Sequence, residues 1–176
     1  GLKPVLWCTA CETALAEAEV EYKDKTSPSV YVALPIVRSS IAALDNVQEM
    51  RELVIWTTTP WTLPANQAVA VHPLLEYVLV EAQLPGGMRS LVVVKARLEA
   101  VMEAIDASVH HVIQTWKGSE LADNCSYRFP YALRPGEQGR CVTADYVTAE
   151  DGTGLVHTAP GHGEDASGAG TGATAR

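Results

Sequence analysis

Leu53-Val54-Ile55-Trp56-Thr57-Thr58-Thr59-Pro60-Trp61-Thr62-Leu63-Pro64-Ala65-Asn66 is an apolar run that ends in four hydroxyls, two prolines and an amide. Its first four residues read as a short buried strand. Pro60 and Pro64 each lack a backbone donor and so oppose continuation as helix or sheet ladder. The hydroxyls are therefore expected in a loop hung on a strand end. Such a loop can orient a water or a bound molecule. Equally, strand-end threonines can do no more than satisfy nearby backbone groups, and residue types alone leave both readings open.

Outward from this elbow the period-two and β-branched patterns predict strands over residues 30–34, 68–71, 77–82, 91–94, 109–116, 141–147 and 155–158. Residues 14–23 alternate small or apolar side chains with mostly charged ones, which predicts a further half-buried strand, although Ala and Glu favour helix. Thr26-Ser27-Pro28 and Pro85-Gly86-Gly87 mark turns, and 39–50 reads as a short helix or loop. Leu98, Val101, Met102 and Ile105 fall at i, i+3, i+4 and i+7, so one amphipathic helix is expected over 96–107. The fold class is thus mixed α/β, mostly β, with a barrel-like sheet core and one clear amphipathic helix.

The 176 residues suit one domain, and 47% hydrophobic with 19% charged residues is a soluble globular composition. No apolar run approaches the ~20 residues needed to span a bilayer, and the N-terminus lacks a signal pattern, so a cytoplasmic or organelle-matrix setting without membrane contact is expected. Acids outnumber bases 21 to 13, giving a net charge of −8. Polyanion binding rests on Lys and Arg displacing counterions, so this chain alone should hold RNA weakly. A monomer is expected. Of the four cysteines only Cys8 and Cys11 have C-x-x-C spacing. They supply half a tetrahedral zinc site, and the simpler reading is two reduced thiols in a turn.

The segment from Trp56 to Asn66, continuing through Gln67-Ala68-Val69-Ala70-Val71-His72-Pro73, closely resembles the threonine-rich peptide of the editing domain of isoleucyl-tRNA synthetases. In these class I aminoacyl-tRNA synthetases that domain is a connective-polypeptide insertion. Thr59 stands where valyl and leucyl relatives usually carry an arginine. Residues 3–22, from Lys3-Pro4-Val5-Leu6-Trp7-Cys8 to Glu21-Tyr22, resemble the family's lead-in to the domain. Gly152-Thr153-Gly154-Leu155-Val156-His157-Thr158-Ala159-Pro160-Gly161-His162-Gly163 resembles its exit. The expected organisation is a lead-in with a half zinc knuckle at 1–13, an editing domain at 14–165, and a flexible Gly/Ala/Ser/Thr tail at 166–176.

The resemblance implies hydrolysis of mischarged valyl-tRNA(Ile) by a held water. Its partners would be the aminoacylated 3′ end of tRNA(Ile) and the remainder of the synthetase. Thr57, Thr58, Thr59 and Thr62 match the positions that orient the water and ester. Trp61 matches an aromatic of the pocket wall, Asn66 a site residue, and His157 the histidine that limits side-chain size. No cofactor is expected for this reaction, and zinc is expected only if another segment completes the Cys8/Cys11 site. Neither adenylate-forming signature of the family, HIGH-type or KMSKS-type, occurs, so the synthetic reaction is not expected here.

Two other readings remain at this stage. His157, His162, Glu164 and Asp165 could ligate a metal for hydrolysis, although their spacing is not that of a helical zinc motif. The chain could also be a folded but inactive fragment that serves only as a binding module. A dinucleotide fingerprint at Gly161-x-Gly163-x-x-Ala166 fails, because no helix-forming segment or suitably spaced acid follows.

In the resembling family an aspartate nine residues after the histidine clamps the substrate ammonium. An ungapped count from His157 reaches Ala166, with Asp165 one residue early as the available substitute. A charge-assisted hydrogen bond of this kind is worth roughly 1.5–3 kcal/mol. Ala166→Asp should therefore speed valyl-tRNA(Ile) deacylation by about 10-fold or more. Equal rates for the two chains would refute the missing-clamp reading.

Overall fold

Runs of β-branched residues put nearly half of the described residues into strands in the computed structural model, which describes residues 5–24, 26–45, 50–129 and 137–160. β1 (Leu6–Cys8) and β2 (Thr13–Leu15) form a separate antiparallel hairpin. They are followed by β3 (Val30–Ser39), β4 (Arg51–Thr57), β5 (Ala68–Val71), β6 (Glu76–Leu84), β7 (Gly87–Val94) and α1 (Leu98–Ala104). β8 (Val109–Lys117), α2 (Gly118–Leu121), β9 (Cys125–Arg128), β10 (Gln138–Thr143) and β11 (Leu155–Thr158) complete the order. The main sheet is nine-stranded, ordered β11-β5-β10-β9-β3-β4-β7-β6-β8. The β5–β10 and β4–β7 pairs are parallel and the others antiparallel.

The strands read as continuous apolar runs where both faces are covered. Leu53 and Ile55 of β4, Tyr77 and Leu79 of β6, and Val92 and Val94 of β7 join the larger core inside the curl of the sheet. Their neighbours Val54, Val78, Val80, Leu91 and Val93 pack with Leu98, Val101 and Met102 of α1. The helix thus buries the stripe its spacing predicts, and Met102 is a core residue. Leu84 pairs with Gly87, so Pro85-Gly86 is a two-residue hairpin loop, and Gly87 takes the φ of +117° that favours glycine.

β3 turns the corner of the sheet. Its residues 30–35 pair with β4, and from Ile36 onward it pairs with β9, with a register shift between Ile36 and Arg38. Pro35 removes a ladder donor where this switch begins, and the bulge bends the strand toward its second partner. The sheet then curls until β11 lies against β4, although no ladder joins them among the described residues. This is the barrel-like core, in open form. The segment leading into β11 is pinned to the other side of the curl. The Val94 amide donates to the Thr153 carbonyl at 2.8 Å. The buried Tyr77 hydroxyl donates to the Gly154 carbonyl at 2.7 Å and accepts from the His72 amide at 2.9 Å. Burial pushes the Tyr77 phenol up to about 12.

Some local expectations need correction. Residues 14–23 are not a half-buried strand: β2 ends at Leu15, a 3₁₀ turn spans Glu17–Glu19, and most of the segment is exposed. Alanines offer too little apolar area to hold an edge, and Glu19 accepts a hydrogen bond from the Ala16 amide at 2.8 Å, which favours the turn. Within the helix or loop expected over 39–50, residues 41–45 form turns closed by the Ile41 carbonyl, and 46–49 lie outside the described residues. The elbow is not a loop throughout but a 3₁₀ helix at Pro60–Ala65, because Pro60 occupies its first turn, where a missing donor costs little. The strand predicted over 141–147 is β10, which begins at Gln138 and ends at Thr143, and β9 has no counterpart among the predicted strands. No helix among the described residues is long and apolar enough to cross a membrane.

Gly154 has φ +70°, and a Cβ there would overlap Val94. Strain and overpacking together should make Gly154→Ala less stable by ~2–4 kcal/mol. A denaturant midpoint unchanged from the parent would show that the docking of β11 onto β7 is looser than described.

Candidate functional site

The elbow connects β4 to β5, and β11 pairs antiparallel with β5, placing His157 opposite Val69 and Thr158 opposite Ala68. Because β11 also lies against β4, His157 comes back over the turn that began 100 residues earlier in sequence at Thr57. Local bonds shape that turn. The Thr59 amide donates to Thr57 Oγ1 at 3.0 Å, the Thr62 amide to the Thr59 carbonyl at 3.1 Å, and the Asn66 amide to the Leu63 carbonyl at 3.0 Å. Buried Leu63 anchors the turn in the core.

A directional chain of hydrogen bonds crosses the site. The Ala68 carbonyl can only accept, so it fixes Asn66 Nδ2 toward itself and leaves Oδ1 to accept from the buried Tyr127 hydroxyl. Asn66 Nδ2 then donates to the Ala68 carbonyl at 3.1 Å and to His157 Nδ1 at 2.6 Å. With Nδ1 accepting, the neutral imidazole carries its proton on Nε2, which lies 3.0 Å from Thr62 Oγ1. Thr62 in turn donates to the Thr59 carbonyl at 2.8 Å, so its oxygen is free to accept from the ring. Thr57 and Thr59 Oγ1 atoms are 3.2 Å apart. Whichever of the two donates, one hydroxyl hydrogen remains for a ligand.

Trp56, Thr57, Thr59, Thr62, Val156, His157 and Ala159 line a cavity of about 220 Å³. Two wider concavities, of about 610 and 580 Å³, lie elsewhere on the surface. Of these three, only the smallest brings hydroxyls together with an imidazole. Since water occupies ~30 Å³ in the liquid, the space suits a small aliphatic group with one or two waters. Such a site can hold a polar carbonyl and a water against its hydroxyls.

The expected site residues divide clearly. Thr57, Thr59, Thr62 and His157 come together in the cavity, and fully buried Asn66 holds the histidine from behind. Thr58 is exposed and absent from the lining. Trp61 is 71% exposed and is not among the residues that line the cavity; the 3₁₀ turn carries it outward, and the aromatic residue in the lining is Trp56 at the strand end. Asp165, with Ala166, His162, Glu164 and the 166–176 tail, lies outside the described residues. Tyr127 was not foreseen. Its only sequence sign is Gly139, which pairs across from it in β10 and whose missing side chain leaves room for the ring, a relation that strand register alone reveals.

Cys8 and Cys11 sit at the tip of the β1–β2 hairpin as free thiols. The Cys11 amide donates to Cys8 Sγ at 3.4 Å, and this bond with one from Ala10 holds the Cys8 thiol below its ordinary pKa. A thiolate so favoured fits a zinc ligand. Among the described residues, however, no group of three or more His, Cys, Asp or Glu could hold a metal, so the pair offers only half a donor set.

The family model for class I tRNA synthetases (I, L, M and V) matches residues 1–148. The chain is 47% identical over 165 residues to the isoleucine–tRNA ligase of Desulforamulus reducens, 94% of this chain and 16% of that protein. It is 48% identical over 165 residues to the enzyme of Geobacillus thermodenitrificans (94% and 17%) and 44% over 169 residues to that of Shewanella putrefaciens (94% and 18%). The chain spans about a sixth of the length of these curated relatives. In structure it is similar to the editing domain of Plasmodium knowlesi cytosolic leucyl-tRNA synthetase, with TM-score 0.58 and 12% identity over 75% of this chain and 56% of that one. The P. falciparum counterpart gives 0.57 and 9% over 76% and 62%. At such identities the likeness speaks for a shared fold. The sequence match carries the affiliation: the chain belongs to the class I tRNA synthetase family of the isoleucine, leucine, methionine and valine enzymes.

Proposed function

We propose that this chain is the editing domain of an isoleucine–tRNA ligase and hydrolyses the ester of valyl-tRNA(Ile) in the cavity between the threonine-rich turn and β11. The observation that carries the reading is the hydrogen-bonded closure of His157 onto Thr62, which joins the two family peptides around one small, partly apolar space. A second sieve is needed because an apolar pocket separates ligands that differ by one methylene, such as isoleucine and valine, by only about 1–3 kcal/mol.

An aminoacyl ester is already activated, so orientation of a water suffices. Water attacks the acyl carbon, the bond from that carbon to the ribose oxygen breaks, and the water's proton ends on that oxygen, releasing valine and the free 3′-terminal ribose. The Thr57/Thr59 pair supplies the spare hydroxyl that holds the water or the carbonyl. His157 is not set up as a base, since its Nδ1 accepts from Asn66 and its Nε2 faces a Thr62 oxygen whose own proton is committed. Its work is to bound the space. A valyl side chain then fits where an isoleucyl one meets the ring. Cys8 and Cys11 would hold zinc only with two ligands from another segment of the synthetase. The partners are the aminoacylated 3′ end of tRNA(Ile) and the rest of that cytoplasmic enzyme.

Incubating the chain with valyl-tRNA(Ile) and isoleucyl-tRNA(Ile) should release valine selectively. Equal persistence of both esters would make it an inert folded module instead. His157→Ala should admit the isoleucyl ester and cut the valyl-over-isoleucyl rate ratio by about 10-fold, from the one or two methylenes of space regained. Tyr127→Phe keeps the ring but removes the hydroxyl that donates to Asn66 Oδ1, at a cost of ~1–3 kcal/mol. It should lower the valyl rate about 10-fold while the near-ultraviolet spectrum stays that of a folded chain. A rate equal to the parent's would remove Tyr127 from the positioning chain.

A further inference from the structure

Every exposed Lys or Arg among the described residues is ion-paired with a carboxylate except three. Lys23 pairs with Glu21, Arg89 with Glu52, and Lys95 and Lys117 with Glu76. Arg38, Arg128 and Arg140 are exposed and have no such partner.

These three share one face of three adjacent strands. Ser126 of β9 pairs with Arg38 of β3 on one side and with Arg140 of β10 on the other, and Arg128 lies two residues further along β9. Cross-strand partners and i, i+2 neighbours point to the same side of a sheet. Tyr127, between Ser126 and Arg128, points to the opposite side and reaches Asn66. The arginines therefore stand on the outer wall of the strand whose inner face supports the site. Arg38 and Arg140 are two strand spacings apart, ~10 Å. Between them Ser126 donates to Gln138 Oε1 at 2.9 Å. The concavity they line, about 580 Å³, also includes Asp123, so the face is locally positive but not uniformly so.

In a chain of net charge −8, a polyanion meets the least repulsion, among the described residues, where cations are left uncompensated. We propose that the Arg38–Arg128–Arg140 face docks the sugar-phosphate backbone of the RNA whose 3′ end enters the cavity. Guanidinium forks match phosphate oxygens in pairs, and arginine keeps its charge at any working pH. The inference rests on the reading of the chain as an aminoacyl-tRNA editing domain. Its test uses an RNA that carries no ester, so the two stand or fall separately.

The probe is a fluorescein-labelled RNA hairpin with a single-stranded 3′ overhang, titrated with the 176-residue chain by anisotropy from low to moderate salt. The parent chain should bind with a salt-dependent affinity. The triple variant Arg38→Gln, Arg128→Gln, Arg140→Gln should bind at least 10-fold more weakly at low salt and lose about two to three units of the logarithmic salt slope. Lys23→Gln, Lys95→Gln, Lys117→Gln removes the same charge from paired sites and should change affinity less than 2-fold. Equal losses in the two triple variants, or a parent chain whose binding ignores salt, would overturn the proposal. So would a polyglutamate peptide that displaces the probe at lower concentration than unlabelled hairpin, which would assign the face to an acidic protein. Should the arginine triple variant fail to match the parent's melting temperature, Arg140→Gln alone must weaken binding and flatten the slope by about one unit.

Discussion

The geometry of the site depends on Asn66, an amide with no solvent exposure. A buried amide has to place each of its donors and acceptors on a partner, since one left unmet costs ~1–3 kcal/mol. Here the carbonyl oxygen takes the Tyr127 hydroxyl, and the amine reaches the Ala68 carbonyl and the His157 ring. Three strands, β5, β9 and β11, are thereby tied to the end of the threonine-rich turn. Gly139 contributes by omission, because any side chain there would occupy the space of the Tyr127 ring.

One consequence is that polarity is settled along the whole chain of bonds. Once Asn66 is oriented, the histidine tautomer follows, and with it the direction of the Thr62 hydroxyl. The cavity is then lined by groups held from behind by buried Asn66 and Tyr127, while the adaptable Thr57/Thr59 hydroxyl pair also lines it. The editing reaction proposed for this cavity calls for such a division. Rigid walls discriminate, and rotatable hydroxyls accommodate the water and ester that must change partners during reaction.

Much of the sheet was legible from residues alone because its inner strands bury both faces. Ala68–Val71 begins and ends where its apolar run does, β11 at the end of the strand order has the predicted bounds Leu155–Thr158, and the α1 stripe is the one its spacing predicts. The segment at 14–23 misled because alternation without bulk cannot distinguish a half-buried strand from an exposed one. β9 was hidden by the mixed sequence Cys125-Ser126-Tyr127-Arg128, in which only two side chains face the core. The threonine peptide and His157 were visible as family segments. The exchange of Trp61 for Trp56 at the cavity wall was not, since it follows from a 3₁₀ turn that prolines alone did not announce.

By itself the sequence determined the β-rich class, the single amphipathic helix, the family, and the residue types that converge on the cavity, because these are properties of local pattern and composition. Tertiary structure alone decided which of those residues meet, that Tyr127 holds the site together, and that Arg38, Arg128 and Arg140 stand unpaired on one face. Each of these depends on strand register. A shift of one residue would turn every side chain to the other face, and register between strands 60 to 90 residues apart is set by how the whole sheet curls.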